Sequence, residues 1–415
     1  MNRTRAGPRV TRREVAGIAI LSLGFGLVGI DRFLIATLYP TIARDLHLDY
    51  GDIGTITGAL ALAWGLAALI MGNLSDHIGQ RRVLVGSLIA FSLLIGGSGL
   101  ATGLAGLVVV RVVMGFADGA FTPASISAAI QISPPERHGR NVGFQQTMLV
   151  LFGLGLAPLL VGALLRNGTS WRLIFPLFLA PGLVVAWLTG RLIPPAAPGH
   201  DKPALRNSFA DWRQALRYRN IRLLMAGMFC WLTCLITTSA FLPSYLTSYL
   251  QLDNGQMATV MSAIGFGAMG GTIILPALSD LVGRKPVMVI SSVGTLMALG
   301  LLGMVAPKTS SLFACLFSVH FFNNALITLT VGPMAAETVP APLMATASGV
   351  VIAAGELLGG GLAPIIGGQV AQRFGIDHIL RLPQLMMAVG VLLCIALRET
   401  RAKPARWNEI EELFI

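Results

Sequence analysis

Long, uninterrupted runs of apolar residues recur along the whole chain and are separated by short polar connections. Each run is about 20 residues long, the length that a helix needs to cross the hydrocarbon core of a bilayer. The runs lack the alternation of apolar and polar residues that a membrane β-barrel requires. The pattern therefore predicts an all-α membrane protein with twelve spanning helices, at residues 15–42, 52–74, 83–102, 105–131, 141–165, 172–190, 221–247, 256–277, 287–305, 311–335, 345–371 and 380–398.

The composition supports this interpretation and excludes other classes of protein. Of the 415 residues, 54% are hydrophobic and 12% are charged, whereas soluble domains carry about 25% charged residues. The formal net charge of +11 suggests a nucleic-acid partner, but the basic residues lie in short connections and at the chain ends, so we expect none. The cysteines lie inside apolar runs, which indicates neither a disulfide framework nor a metal site. We expect no cofactor, and no connection is long enough for a catalytic domain, so an enzyme is not expected.

The positions of the 30 lysine and arginine residues predict how the chain lies in the membrane. Most of them fall at the chain ends, after even-numbered helices and in the connection 191–220. Because such residues concentrate on the cytoplasmic side of membrane proteins, both termini are expected in the cytoplasm. We therefore predict a multi-pass protein of the cell (inner) membrane, embedded in the lipid bilayer.

The connection 191–220 is the only long one, and it divides the chain into two halves. Residues 1–190 are predicted to form an N-terminal six-helix bundle, and residues 221–415 a C-terminal six-helix bundle with a short cytoplasmic tail. Within the connection, Phe209 and Trp212 are spaced as on one face of a helix, opposite basic residues. This pattern predicts an interfacial helix on the cytoplasmic membrane surface that straps the halves together.

An internal repeat relates the two halves. The segment GNLSDHIGQRR (72–82) recurs as PALSDLVGRKP (276–286), and GLGLAPLLVG (153–162) recurs as GGGLAPIIGG (359–368). The spacing between the two copies is nearly the same in both cases. Such self-similarity at one offset indicates parallel repeats of six helices each.

The first repeated segment has the chemistry of a conformational latch. Its glycines permit tight turns, its aspartate can cap a helix N-terminus, and its arginines stay at the cytoplasmic face. The alternative is a topological anchor that only follows the positive-inside rule. The second copy is the weaker one, because Pro276 replaces the first glycine. The residues to which we assign this role are Gly72, Asp76, Gly79, Arg81 and Arg82, with Asp280, Gly283 and Arg284 in the second copy.

Charged residues well inside the predicted spans are the main candidates for a functional site. A charge at mid-bilayer costs ~2.5–3.5 kcal/mol on insertion scales, so such residues usually face a cavity and mark a transport pathway. Arg111 and Asp118 are two helical turns apart and share one face of their helix. The five residues are Asp31, Arg32, Arg111, Asp118 and Glu356.

The charges of this set predict a coupling mechanism. The two acids and two bases of the first half form a neutral set that can pair when the site is empty. A carboxylate substrate would compete for an arginine and leave an acid without its partner, and that acid would then favour a proton. The alternative is a static ion-pair network that fixes the first helix against the fourth. With Glu356 the formal charges sum to −1 (2 − 3), which disfavours a doubly charged anion.

Three segments resemble known transporters. The motif G-x-L-S-D-x-x-G-x-R-R at 72–82 resembles the signature loop of the major facilitator superfamily. The sequence I-D-R at 30–32, followed by P-x-I-x-x-D-L at 40–46, is similar to the first-helix signature of the anion:cation symporter family. Residues 111–124, RVVMGFADGAFTPA, resemble that family's fourth-helix pattern. The resemblance implies two six-helix bundles around a central cavity with alternating access, and transport of small organic anions, often together with protons.

The resemblance also implies roles for individual residues. Arg111 would bind the substrate carboxylate, and Asp31 and Asp118 would handle protons. Arg32 would contribute to substrate binding or pair with an acid. Glu356 lies near a position where the family tends to carry Asn. It could add a proton site, reject anions of the wrong size or favour a substrate with a positive group, or it could be a protonated acid in a helix contact.

Two further polar residues are candidates for substrate binding. Gln146, next to Gln145 near the start of the fifth helix, could bond substrate hydroxyls or line the cytoplasmic mouth. Asn323 falls at the repeat position of Asp118, so it could complete the site or serve a hydrogen bond between helices.

The interpretation favoured by the sequence is a proton-coupled symporter that imports a small organic carboxylate, such as a sugar acid, an aromatic acid or a similar monocarboxylate. A proton-driven exporter of drugs or metabolites with the same fold is the second hypothesis. A receptor or scaffold that transports nothing is the third. The expected partners are the organic anion, protons and lipid, and we expect a monomer.

Overall fold

The computed structural model describes residues 11–194 and 209–400, and within them the side chains of all residues except 69–78 and 209–210. This part of the chain contains no β-strand. It forms twelve helices long and apolar enough to cross a membrane, which confirms the prediction of twelve spans. They are α1 Arg12–Leu46, α2 Tyr50–Ile78, α3 Gln80–Ser98, α4 Leu104–Ile132, α5 Pro135–Arg166, α6 Trp171–Leu192, α7 Arg219–Tyr249, α8 Asn254–Val282, α9 Arg284–Leu302, α10 Thr309–Thr338, α11 Ala341–Phe374 and α12 Ile376–Ala396.

The ends of the helices follow local sequence signals. Thr11 caps α1, because its hydroxyl accepts a hydrogen bond from the backbone N–H of Glu14 at 3.1 Å. Asp253 and Gln256 form a reciprocal capping box at the start of α8. The turns between α2 and α3 and between α8 and α9 contain Gly79 at φ +94° and Gly283 at φ +110°. Only glycine adopts these angles without strain, so both copies of the repeated motif need this glycine for their turn.

A short helix at Phe209–Ala215 lies in the connection between the halves, as the sequence predicts, and it contacts the first turns of α11. Its position on the membrane surface stays a prediction.

Glycines allow closely packed helix pairs to form in both halves. In the N-terminal half (α1 to α6), Gly115 and Gly119 of α4 lie against the backbone of α2. In the C-terminal half (α7 to α12), Gly267 and Gly271 of α8 lie against the backbone carbonyls of Phe317 and Phe321 in α10. A side chain at any of these glycines would collide with that backbone. Small residues of this kind are the usual basis of close helix packing in membranes.

The two halves approach each other most closely at the end opposite the described ends of the chain. There, Gly54 and Gly58 of α2 pack on the backbone of α11, and α5 crosses α8 where Gly155 contacts Gly265. These glycines lie in the parts of the helices nearest the α1–α2, α5–α6, α7–α8 and α11–α12 connections. The halves are therefore joined at this end, which we call the closed end.

Both α5 and α11 change their hydrogen-bond pattern next to the repeated Ala-Pro pair. Residues Leu151–Leu156 and Gly355–Leu362 have π-helical, i→i+5 bonding, and each segment is followed directly by Ala-Pro. Such π-helical segments occur often at functional sites, and Glu356 lies in the second one.

Candidate functional site

Arg111 is held at the contact between α1 and α4. Its side chain is buried, with 1% of the residue exposed, and its Nη1 donates to the backbone carbonyl of Asp31 at 2.6 Å. Within residues 11–194 and 209–400, Nε and Nη2 have no hydrogen-bond partner. Buried donors without partners are costly, and more so on a charged group. This guanidinium is therefore ready to receive an acceptor that is not part of the described chain.

Two buried carboxyl groups lie beside this arginine. Asp31 of α1 and Asp118 of α4 are fully buried, and each interacts electrostatically with the other and with Arg111. No oxygen of either carboxyl group has a donor among the described residues. Two neighbouring carboxylates repel each other when both are ionised, but they bond to each other once one carries a proton. The pair can thus hold a proton.

Arg32, although next to Asp31 in the chain, pairs with the opposite half. Its Nη2 and Nη1 donate to the two carboxylate oxygens of Glu356 in α11 at 2.8 and 3.3 Å. Its guanidinium also lies over the ring of Trp64 in α2, 4.5 Å from the ring centroid. The sequence predicted that the two acids and two bases of the first half pair among themselves. This prediction is wrong for Arg32, which pairs with Glu356 of the other half. Adjacent residues differ by about 100° around a helix, so Asp31 faces α4 while Arg32 reaches α11.

A narrow cavity lies between α1, α2, α4 and α7, and both arginines line it. It has room for roughly one water molecule, so the walls are nearly closed around the centre in this conformation. The hydroxyl groups of Thr57 and Ser239 donate to carbonyls of their own helices at 2.7 and 3.1 Å. They can only accept further bonds through lone pairs. The remaining walls are apolar: Phe33, Ile35, Ala36, Leu60, Ala61, Ile236 and Ala240.

Two of the predicted substrate-binding residues lie elsewhere. Gln146 is exposed on α5 and does not line this cavity, whereas its neighbour Gln145 is buried and donates to Ser125 of α4. Asn323 is buried and donates to the backbone carbonyl of Trp231 at 3.1 Å, which joins α10 to α7. The structure thus gives Asn323 the interhelical hydrogen bond that the sequence left as its alternative.

The residues of the first predicted latch are described only in part. Gly72 and Asp76 lie in the stretch 69–78, outside the side chains that the structure describes. Gly79 makes the turn. Arg81 and Trp187 of α6 line the same surface cavity, and Arg82 is exposed.

The second copy of the latch has a well-defined ion-pair network. Arg284 pairs with Asp280 at 2.7 Å and with Glu337, at the end of α10, at 2.9 Å. The carboxylate of Glu399 accepts from the backbone N–H groups of Arg284 and Lys285 at 3.1 and 2.9 Å. This network joins four helix ends, although the sequence pattern marked this copy as the weaker one.

Several residues of the site and the latch escape sequence analysis. Trp64 stacks on Arg32, yet aromatic residues in membrane spans are too common to stand out. Glu337 and Glu399 lie near helix ends, 53 and 115 positions along the chain from Arg284, so no local sequence signal marks them as its partners.

Comparison with known proteins identifies the family. The twelve long, apolar helices define a multi-pass membrane protein, and two arginines line a cavity among its spans. The sequence profile of the Major Facilitator Superfamily matches residues 21–364 and 246–413. The chain belongs to this superfamily. It is therefore a membrane transporter of the cell (inner) membrane rather than an enzyme.

The names of the individual relatives describe different functions. The 3-(3-hydroxy-phenyl)propionate transporter of Escherichia coli (strain K12) is 26% identical over 381 residues, covering 88% of this chain and 89% of that protein. A chloramphenicol resistance protein of Streptomyces lividans is 26% identical over 336 residues, covering 79% and 82%. An uncharacterized MFS-type transporter of Mycobacterium tuberculosis is 30% identical over 198 residues, which are 48% of this chain but only 34% of that longer protein.

Among solved structures, a bacterial homologue of the human lysosomal transporter Spinster, in an inward-facing and unoccupied conformation, matches with a TM-score of 0.73. It is 18% identical, and the match covers 94% of this chain and 96% of that one. At this level of sequence identity, the similarity shows a shared fold only.

Proposed function

We propose that the protein is a proton-coupled symporter that imports a small organic monocarboxylate by alternating access. One observation supports this most: Arg111 is buried at a cavity wall with two unpaired donor atoms, beside two buried carboxyl groups without donors. A cationic donor set matches a carboxylate, because guanidinium binds carboxylate oxygens with charge-assisted hydrogen bonds.

The proton and the anion are linked through Arg111. In the empty site its charge compensates Asp31 and, together with Arg32, Asp118. An incoming carboxylate engages the free donors and cancels the charge of Arg111. The repulsion between the two acids is then no longer offset by Arg111, and proton binding relieves it. Anion and proton therefore bind together, and each raises the affinity for the other by the same factor.

The cavity walls narrow the substrate class. Seven of the eleven lining residues are apolar, and the two hydroxyl groups already donate to their own helices. A sugar acid would leave several hydroxyl groups without partners, which is costly in a buried site. An aromatic or aliphatic acid would place its apolar body against these walls. The match to a hydroxyphenylpropionate transporter agrees with this choice.

The orientation of the protein in the membrane is part of the same proposal. With both termini in the cytoplasm, the closed end faces outward, and the conformation is one in which the outer side is sealed. Residues 1–190 and 221–415 would then rock as two bundles about the central cavity, with the helix of the 191–220 connection as a strap. The ion-pair network beside Gly283 and the matching loop at Gly79 would stabilise one of the two conformations as latches.

A proton-driven exporter of drugs or metabolites is the second candidate. The match to a chloramphenicol resistance protein and the apolar cavity walls support it. The two functions differ at Arg111, because an exporter of neutral or cationic compounds does not need a free guanidinium. Arg111→Ala would abolish binding of a carboxylate but spare binding of a cation. A receptor or scaffold would show no flux of any compound.

Purified protein in liposomes tests the proposal. An inward proton gradient is imposed, and uptake of labelled benzoate, phenylpropionate, butyrate, gluconate and sialic acid is measured. We expect the apolar acids to accumulate faster than in protein-free liposomes, into which the neutral forms of these acids also diffuse, and an ionophore that collapses the gradient should abolish the accumulation. Extrusion of lipophilic cations without accumulation of any carboxylate would show that the exporter hypothesis is correct instead.

A further inference from the structure

Two arginines line the same cavity, but their donors are in different states. Arg111 uses one donor atom on a backbone carbonyl and keeps two unpaired. Arg32 uses both Nη atoms on the carboxylate of Glu356 and has its face covered by Trp64. Only one of the two cations is therefore open to a substrate carboxylate.

The ion pair between Arg32 and Glu356 is tightly packed against the backbone at Gly360. A Cβ atom at Gly360, one turn after Glu356, would lie 2.8 Å from the Oε2 atom of Glu356 and 3.6 Å from the Nη2 atom of Arg32. Glycine at this position makes room for the ion pair. The side chains are only 9% and 14% exposed, so the pair is largely shielded from solvent. Glu356 holds its carboxylate where a substrate carboxylate could otherwise bind Arg32.

From this geometry we propose that Glu356 sets the charge of the transported anion. Its carboxylate occupies Arg32 and leaves only Arg111 to the substrate, so the site accepts one carboxylate group and rejects a second. This inference rests on the proposed function and adds a residue that determines specificity. A dicarboxylate would bring a second buried charge without a cation to meet it and close to Glu356 itself, and an unpaired buried charge is strongly disfavoured.

A purely structural role for Glu356 leads to a different expectation. If the ion pair only fastened α1 to α11, its loss would weaken the binding of monocarboxylates and dicarboxylates alike. If Glu356 occupies a potential anion site, its loss frees Arg32, and only dicarboxylates gain. The ratio of the two affinities therefore separates the two roles, whereas overall activity or stability does not.

The experiment compares benzoate with isophthalate, and butyrate with succinate, at pH 7. The members of each pair differ chiefly by one carboxylate. Affinity is measured by calorimetry on purified protein in detergent, and uptake is measured in liposomes. The variants are Glu356→Gln, which removes the charge, and Glu356→Asp, which keeps it. Glu136→Gln neutralises an exposed acid outside the cavity and serves as the matched control.

We expect the wild-type protein to prefer benzoate over isophthalate by about tenfold or more, as charge mismatch in a buried site requires. Glu356→Gln should lose most of this preference, whereas Glu356→Asp and Glu136→Gln should keep it within about twofold. The double variant Arg32→Gln with Glu356→Gln should regain the preference for benzoate, because the gain requires a free Arg32.

The outcomes distinguish this inference from the proposed function. A wild-type protein that binds isophthalate as tightly as benzoate overturns the inference, and this result needs no variant to fold. Benzoate binding with an unchanged ratio in Glu356→Gln also overturns it and leaves carboxylate symport intact. Failure of wild type and variant to bind any of the four acids overturns both.

Discussion

The same repeat position carries opposite chemistry in the two halves of the molecule. In the N-terminal half, Asp118 is a buried acid beside Arg111 and Asp31. In the C-terminal half, Asn323 is a buried amide that donates to the carbonyl of Trp231. Nearby, His320 is fully buried, and its Nε2 lies 3.1 Å from the hydroxyl of Thr238. One half gathers charged groups at its centre, while the other joins neutral groups by helix-to-helix hydrogen bonds, although Oδ1 of Asn323 and Nδ1 of His320 have no partner among the described residues.

We infer from this difference that the two halves have different tasks. Charges without full compensation are costly inside a membrane protein, so their retention on α1 and α4 points to use in binding and proton transfer. Neutral hydrogen bonds between α7 and α10 instead stabilise the packing of the C-terminal half. That half contributes one charge to the centre, Glu356, which pairs with Arg32.

The largest effect is expected at Arg111. Arg111→Ala should lower carboxylate uptake by about 100-fold or more, since truncation of a buried charged partner costs about 2–5 kcal/mol of binding. Arg111→Lys should recover only part of it, because an ammonium group does not reproduce the forked geometry. Asn323→Ala, at the other repeat position, is the control and should reduce initial uptake rates only a few-fold. Equal losses in Arg111→Ala and Asn323→Ala would refute the division between the halves.

The next effect concerns energy coupling. Asp118→Asn should abolish accumulation driven by a proton gradient but retain exchange of labelled for unlabelled substrate, because a neutral amide cannot carry the proton. Uphill uptake and counterflow are measured on the same liposomes. Thr122→Val, which alters a neighbouring hydroxyl on α4, is the control and should keep both activities. Normal uphill uptake by Asp118→Asn would remove this residue from the proton path.

An acid placed in the C-terminal half tests whether that half tolerates a buried charge. Asn323→Asp exchanges the donor to the Trp231 carbonyl for a carboxylate that repels it, and a lost buried hydrogen bond of this kind costs ~1–3 kcal/mol. We expect a lower melting temperature of the detergent-solubilised protein, measured by the loss of monodisperse protein on heating. Asn323→Gln keeps the amide and should be less harmful than Asn323→Asp. A stable, active Asn323→Asp would mean that the C-terminal half tolerates charge as well as the other.

The smallest effect is expected at the turns of the repeated motif. Gly79→Ala and Gly283→Ala both force a side chain into a positive φ, which costs roughly 1–2 kcal/mol. Gly283→Ala should be the more harmful, because its Cβ would also lie 2.9 Å from the carboxylate of Glu399, whereas no atom of the described residues lies within 4 Å of a Cβ at Gly79. Melting temperatures of the two variants, with Gly300→Ala as a control at an unobstructed helical glycine, measure the difference. A larger loss in Gly79→Ala would contradict the packing around Glu399.

Sequence alone predicts the helices and the list of buried charges, but not the pairing of those charges. Span length and hydrophobicity are local properties, so all twelve helices follow from the apolar runs. The partners of a buried charge depend on which helices meet. Arg32 and Glu356 are 324 positions apart, and no local pattern indicates that α1 and α11 meet there.

The repeat shows a second limit of sequence analysis. It placed Asn323 opposite Asp118, but equivalent backbone positions do not require equivalent chemistry. The structure gives this residue a carbonyl partner in α7 instead. The two neighbouring glutamines give a second example. The sequence favoured Gln146 as the binding residue, but the helix buries Gln145 and exposes Gln146.

We propose above all that carboxylate and proton bind together at Arg111, Asp31 and Asp118. Purified protein in weakly buffered detergent solution at pH 7 is titrated with benzoate while the pH of the solution is followed. We expect net proton uptake that saturates with benzoate binding and that disappears in the double variant Asp31→Asn with Asp118→Asn. Saturable benzoate binding by the wild-type protein without any proton uptake would contradict it.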